Sequence, residues 1–445
     1  MKFQLIPAIQ TSERLLGRFA LFFHSLIFSL AVPFVSNAQG FTITEGDTLS
    51  VTQSLDDDNS IGRIEDGAVL QTNGDSILSS GNGVQLVNYG EIETSDAYSV
   101  SFASSGNNVT AFNAGTGVSD GAFIVSSGDG LEFENSGYLE STLGRLSVGF
   151  PLSLGYTLYS SGSNATIRNS GVIQASGGPP DVIAILSEGD SATISNSLKG
   201  IINSNGAGVV TRGNGALVVN DGYIETQANK IDFSGFPGGL NAPIHSSGID
   251  VEVINSGELV ASGISSDGIY SDGLRAMIRN SGSIRAGVPF QDINDASVGN
   301  GTGIFSKGAS AEIFNSGTVS HVQIGIEAQG SNSRIVNSGR IEMAGAVTVF
   351  GSVNPGYGIL AKGDDAQVIH SGTIIGRDAI PESLLNPPFP IAIPSTTTGI
   401  ALDPFGNGNG TADVSGKILA TSNAILGGGG EQVVNLHRGS QIVGA

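Results

Sequence analysis

An all-β fold, a single-stranded parallel β-helix (β-solenoid) of about 12 rungs behind a signal peptide, is what this sequence predicts. Three observations carry the prediction: a glycine-rich, weakly charged composition, a unit that recurs 11 times, and a spacing of two residues between that unit's fixed positions.

Gly makes up 66 of 445 residues, charged residues make up 13%, and Cys and Trp are absent. With Ile, Val and Leu prominent among the apolar residues, this mixture favours strands and turns over helices. The 19 basic and 40 acidic residues leave a net charge of −21. Such a charge repels nucleic acid and anionic membrane surfaces, so no nucleic-acid partner is expected. Without Cys there are no disulfide staples or thiolate metal sites, and no metal, nucleotide or other cofactor motif stands out.

The first element is a signal peptide over residues 1–38. Lys2, Arg14 and Arg18 precede the apolar run from Phe19 to Val35, and Ser36-Asn37-Ala38 supplies small residues for cleavage after Ala38. His24, Ser25, Ser29 and Pro33 interrupt the run, which argues against a retained membrane anchor. Residues 39–76 read as an N-terminal cap and a first irregular rung, with Asp56-Asp57-Asp58 as a solvated turn.

The repeats fill 77–445. Each has an apolar residue, Gly four positions later, apolar at nine, Asn at eleven, Gly at thirteen and apolar at fifteen. Copies start at Ile77, Phe102, Ile124, Leu158, Ile185, Val209, Ile244, Ile269, Ile304, Ile326 and Ile359. The pattern lapses at offset thirteen with Leu198, and at offset fifteen with Gly117 and Gly200. Offsets nine to fifteen step by two and so share one side of an extended chain. The two glycines are expected to supply backbone conformations closed to residues with a Cβ. The apolar offsets should stack as a core, each side chain contributing about 1.5 to 3 kcal/mol when fully buried.

Offset eleven predicts a ladder of side-chain hydrogen bonds through Asn88, Asn113, Asn135, Asn169, Asn196, Asn220, Asn255, Asn280, Asn315 and Asn337, with His370 in the eleventh place. Beyond Ile400, the residues Ile418, Ile425, Val434 and Ile442 predict closing rungs.

Tandem units such as Ile313-Phe314-Asn315-Ser316-Gly317-Thr318-Val319, with the closing G-G-G-G-E-Q-V-V-N-L-H-R-G-S-Q-I, resemble the passenger region of bacterial autotransporters, the β-helical proteins of type V secretion. The resemblance implies a right-handed helix, display at the cell surface or outer membrane or release outside the cell, and adhesion, aggregation or host contact through a protein or glycan surface. It also implies an outer-membrane β-barrel translocator. The sequence to Ala445 contains no series of alternating ten-residue strands for one, so a separate chain or a downstream segment would supply it, with the periplasm as the alternative location.

Two enzymatic readings compete with the binding scaffold. Gly74-Asp75-Ser76-Ile77 resembles the nucleophile block of Gly-Asp-Ser-Leu hydrolases, but Ser76 merely precedes a core position; of the available His245, His321, His370 and His437, the first two have no nearby partner motif, and the helices of that family's α/β framework are absent. A β-helical polysaccharide lyase or glycosidase would need carboxylates stacked on neighbouring rungs, and offset three does not stack them. No catalytic residue is therefore assigned.

Insertions fall near 141–155, 226–242, 286–300, 344–356 and 376–398, always after offset fifteen, so they should emerge along one edge. They carry Phe150, Phe233, Phe236, Phe290, Phe350 and Phe389, the residues expected to anchor a partner.

Overall fold

The computed structural model describes residues 40–444 except 97–98, 143–154, 177–181, 228–241, 264–265, 288–300, 348–352 and 378–395. Within it, three parallel sheets of 15, 15 and 14 strands, called here A, B and C, make a three-sided solenoid. The chain adds one strand to A, one to B and one to C before returning to A one rung further on, beginning with Phe41–Ile43, Thr48–Leu49 and Gln53–Leu55.

The repeat maps onto these rungs in register. Offset zero lies in sheet C, where Ile304 pairs with Ile326, offset nine lies in sheet A, where Ile313 pairs with Ile335, and offset fifteen lies in sheet B, where Ile341 pairs with Ile374. All six side chains are fully buried, and their columns form one continuous core along the solenoid. The strands number more than the 12 expected rungs because residues 41–72 already pair in register, as Phe41 with Gly62 and Thr48 with Val69. Backbone pairing does not need the Asn-Ser-Gly corner that marks the repeat, so these rungs escape the template. At the other end, Ile400 pairs with Ile425, Ala412 with Val434 and Ile418 with Ile442, completing the closing rung.

The repeated glycines have a different cause from the one expected. None at offsets four or thirteen has positive φ. They are there because successive corners nearly touch: a Cβ on Gly162 would lie 2.0 Å from the carbonyl oxygen of Gly128, and one on Gly317 would lie 2.1 Å from that of Gly282. The left-handed corner is at offset six instead, occupied by Gly83, Asn108, Gly130, Asn164, Ser191, Gly215, Asp250, Arg275, Ser310, Asn332 and Asp365, with φ from 55° to 74°. One position earlier, side chains bridge rungs: Asn82 Oδ1 accepts the backbone N–H of Asn107 at 2.9 Å, and Asp129 Oδ1 accepts that of Ser163 at 2.7 Å. Asp58 belongs to this outer ladder, its Oδ1 taking the N–H of Asn82 at 2.8 Å.

The template's lapses have local explanations. Gly117 leaves room for Phe123, whose ring would lie 2.0 Å from a Cβ at that position and is itself fully buried. Leu198 and Gly200 are a single event, a corner two residues longer than its neighbours: Ile173 pairs with Ile202, and Leu198 projects into solvent at 84% exposure.

A further column runs at offset two, facing inward beside the corner between sheets C and A. Its members Ser79, Ser104, Ser126, Ser160, Ser187, Thr211, Ser246, Ser271 and Ser306 are in register from rung to rung and all buried.

Candidate binding surfaces

The Asn ladder forms as the sequence predicts. From Asn88 to Asn337 each Nδ2 donates to the Oδ1 of the next rung, at 2.7 to 2.9 Å. His370 takes the last place, with Nδ1 3.0 Å from Asn337 Nδ2 and Nε2 3.2 Å from the carbonyl oxygen of Lys417. Every member is buried, so the ladder acts within the scaffold rather than as a binding surface.

The residues weighed for catalysis do not converge. Ser76 is buried, and its hydroxyl pairs with that of Thr72 at 2.9 Å. The four histidines belong to different places: His245 to the strand Ile244–Ser246 of sheet C, His321 to a register shift in sheet B, His370 to sheet A, and His437 beside Asp413 at 3.6 Å. Among the described residues no group of three His, Cys, Asp or Glu side chains could hold a metal ion. At offset three, Glu188 is held by Arg212 at 2.7 Å and by the Tyr159 hydroxyl at 2.8 Å.

The outward side of sheet C is largely buried. His245, Tyr270 and Phe305 pack ring against ring on successive rungs, with centroids 4.7 and 5.1 Å apart, and Leu186, Val210 and Leu360 on the same column are inaccessible. Burial, then the charge of Arg212, lowers the His245 pKa to about 4, and burial raises that of Tyr270 to about 12. Both side chains are therefore uncharged near neutrality.

Every expected insertion attaches at one corner, between the end of a sheet B strand and the start of the next sheet C strand. The flanking pairs are Tyr138–Ser141 and Gly155–Ser160, Tyr223–Thr226 and Ile244–Ser246, Ser283–Ala286 and Thr302–Ser306, Arg340–Ala344 and Gly356–Ala361, and Thr373–Arg377 and Thr397–Leu402. Phe150, Phe233, Phe236, Phe290, Phe350 and Phe389 lie outside the described residues.

The outer face of sheet B is open and carries two parallel columns over four rungs. The first is Tyr138, Val172, Ile201 and Tyr223, in consecutive register and partly exposed. The second, two residues on, is Glu140, Gln174, Asn203 and Glu225. Alternation along a strand puts both columns on the same side of the sheet. Each tyrosine is locked to the polar column, Tyr138 donating its hydroxyl to Glu140 at 2.7 Å and Tyr223 to Glu225 at 2.8 Å. Between them Asn203 Nδ2 donates to Gln174 Oε1 at 3.2 Å. Partial burial, then the bond to Glu140, pushes the Tyr138 pKa up to about 12, and the same causes raise that of Tyr223, so both phenols stay protonated. The signal for this face was present in the sequence as the recurring Tyr138-Leu139-Glu140 and Tyr223-Ile224-Glu225.

No family model, curated protein or solved structure matches the chain.

Proposed function

We propose that this protein is an exported binding scaffold, of the kind its resemblance to autotransporter passengers implies, and that the outer face of sheet B holds an extended carbohydrate chain laid along the solenoid axis. The observation that carries this reading is the paired rail: an apolar column ending in a tyrosine at each side, next to a polar column of two amides between two carboxylates. Tyrosine rings offer apolar faces to sugar C–H groups, while amides and carboxylates accept and donate to hydroxyls. Rungs about 4.8 Å apart present these groups at close to the advance of one sugar along an extended chain. The tyrosines are held before any ligand arrives, which lowers the ordering cost of binding.

Binding is favoured over cleavage within these four rungs, whose polar column carries only those two carboxylates. Hydrolysis needs two carboxyl groups about 5 to 10 Å apart across one bond. Glu140 and Glu225 are three rungs apart in register, which at the usual rung spacing is about 14 Å.

Retention in affinity gels cast with a panel of soluble polysaccharides tests the reading. The full chain should be retarded by at least one extended polysaccharide, and Tyr138→Ala/Tyr223→Ala should reduce that affinity by tenfold or more with an unchanged far-ultraviolet spectrum. Retardation that survives the double substitution, or binding confined to protein ligands, would overturn it.

A further inference from the structure

The column from Ser79 to Ser306 presents a physical problem distinct from the binding face. Its nine hydroxyls are buried and have no hydrogen-bond partner among the described residues, and Ser60, in the same corner at its lower end, shares this condition. A buried hydroxyl without a partner costs about 1 to 3 kcal/mol. One isolated case could be absorbed by the rest of the fold, but a run repeated on every rung for nine rungs calls for a common partner.

Among the described residues none of the nine hydroxyls has that partner. The carbonyl of each column residue accepts the N–H of the next rung, as Ser79 that of Ser105 at 2.9 Å and Ser126 that of Ser161 at 3.0 Å. The hydroxyls do not bond one another either, unlike those of Thr94 and Ser119 on successive rungs of sheet B, which meet at 2.7 Å. A single water set to one side of the axis, however, can lie about 2.8 Å from two successive hydroxyls at once.

Across the corner, at offset seven, the core position is small on several rungs, with Ala165, Ala192, Ala216 and Ala276, and larger on others, with Val84, Val109, Leu131 and Val251. Other core columns at the same depth carry Ile, Leu and Val. The column itself carries no charge, so a neutral occupant suits it better than an ion.

The far end is informative. At the next rung the column residue becomes Ala328, and the hydroxyl moves across the corner to Ser333, which donates to the carbonyl oxygen of Gly330 at 2.7 Å. Ser60, at the place of Ser333 on a rung whose column residue is Leu55, has no such partner among the described residues.

We infer that a single file of water molecules runs inside the C-to-A corner, one water bridging each successive pair of hydroxyls between Ser79 and Ser306. The file forms a second polar seam, parallel to the Asn ladder, and it satisfies the serines that the backbone leaves bare.

The test is an atomic-resolution crystal structure of the full chain, together with thermal unfolding of Ser160→Ala, Ser187→Ala and the double variant. Expected are a row of density peaks, each within hydrogen-bond distance of two column hydroxyls, and a fall of a few degrees in melting temperature for each substitution, with the peaks beside the altered position lost. Melting at or above the unsubstituted temperature would mean that the hydroxyls had only been costing desolvation, and would overturn the inference. So would hydroxyls turned onto backbone carbonyls with no density between them.

Discussion

Asn337 donates from Nδ2 to Nδ1 of His370 at 3.0 Å, and Nε2 of His370 lies 3.2 Å from the carbonyl oxygen of Lys417. This arrangement requires a neutral imidazole with its proton on Nε2, since a second proton on Nδ1 would face the Asn337 donor. Burial lowers the His370 pKa, against the smaller opposing effect of the Lys417 and Asn337 backbone.

A pH dependence follows from the sign of that shift. An unfolded histidine titrates near 6.5. With the folded pKa below it, the unfolded chain binds the proton first as pH falls, so stability is complete above about pH 6.5 and declines below it. His245 acts in the same direction, down to its folded value of about 4. The urea midpoint should drop between pH 7 and pH 5, and His370→Asn, which restores the repeat's own residue, should shrink the drop while leaving the share due to His245.

The ladder should also respond unequally along its length. Asn220→Ala strips the acceptor from Asn196 and the donor from Asn255. Asn88→Ala takes a donor from the Oδ1 of Asn113 and a longer bond from the Thr116 carbonyl, but strips no ladder donor of its acceptor, because the Oδ1 of Asn88 has no partner among the described residues. The interior substitution should cost about 1 to 3 kcal/mol in chemical denaturation, and the terminal one about half as much.

Two glycine substitutions separate crowding from backbone strain. Gly162→Ala drives a Cβ into the carbonyl of Gly128 and should cost about 3 kcal/mol or more, if it folds at all. Gly215→Ala meets nothing nearer than 3.8 Å but needs φ of +64°, so it should cost about 1 to 2 kcal/mol. Gly215→Asn, matching Asn108 and Asn164 at the same corner, should fall below that.

Phe123 and Gly117 should behave as a coupled pair. Phe123→Ala should cost about 3 to 5 kcal/mol. Gly117→Ile alone should also destabilise, because its Cβ enters the Phe123 ring. The double variant places at that register the branched aliphatic that neighbouring rungs carry as Ile92 and Leu139, and should recover part of the loss in a double-mutant cycle.

The fold was legible in the sequence to the extent that side chains face inward. Ile304, Ile313 and Asn315 repeat because each meets its own counterpart one rung away, and such columns leave a periodic trace. The role of Gly162 was not legible, because contact between rungs is a property of neighbours distant in sequence. The left-handed corner at offset six was hidden for another reason: Asn, Asp, Ser, Arg and Gly all occupy it, so no single residue marks it. Rungs near Phe41 were missed because they pair through the backbone without the motif. The sheet B face was missed because Tyr138 and Glu140 face outward, where the repeat imposes nothing.

The corner between sheets B and C accepts extra chain without breaking register, as Thr211 with Ser246 and Ser271 with Ser306 show across two of the insertions. Attachment points there are fixed along the axis by rung number alone, so any two are separated by a whole multiple of about 4.8 Å. The solenoid is thus a ruled edge. Peptides or enzymes grafted at chosen corners would be held at set intervals, and changing one interval would require adding or deleting a whole rung.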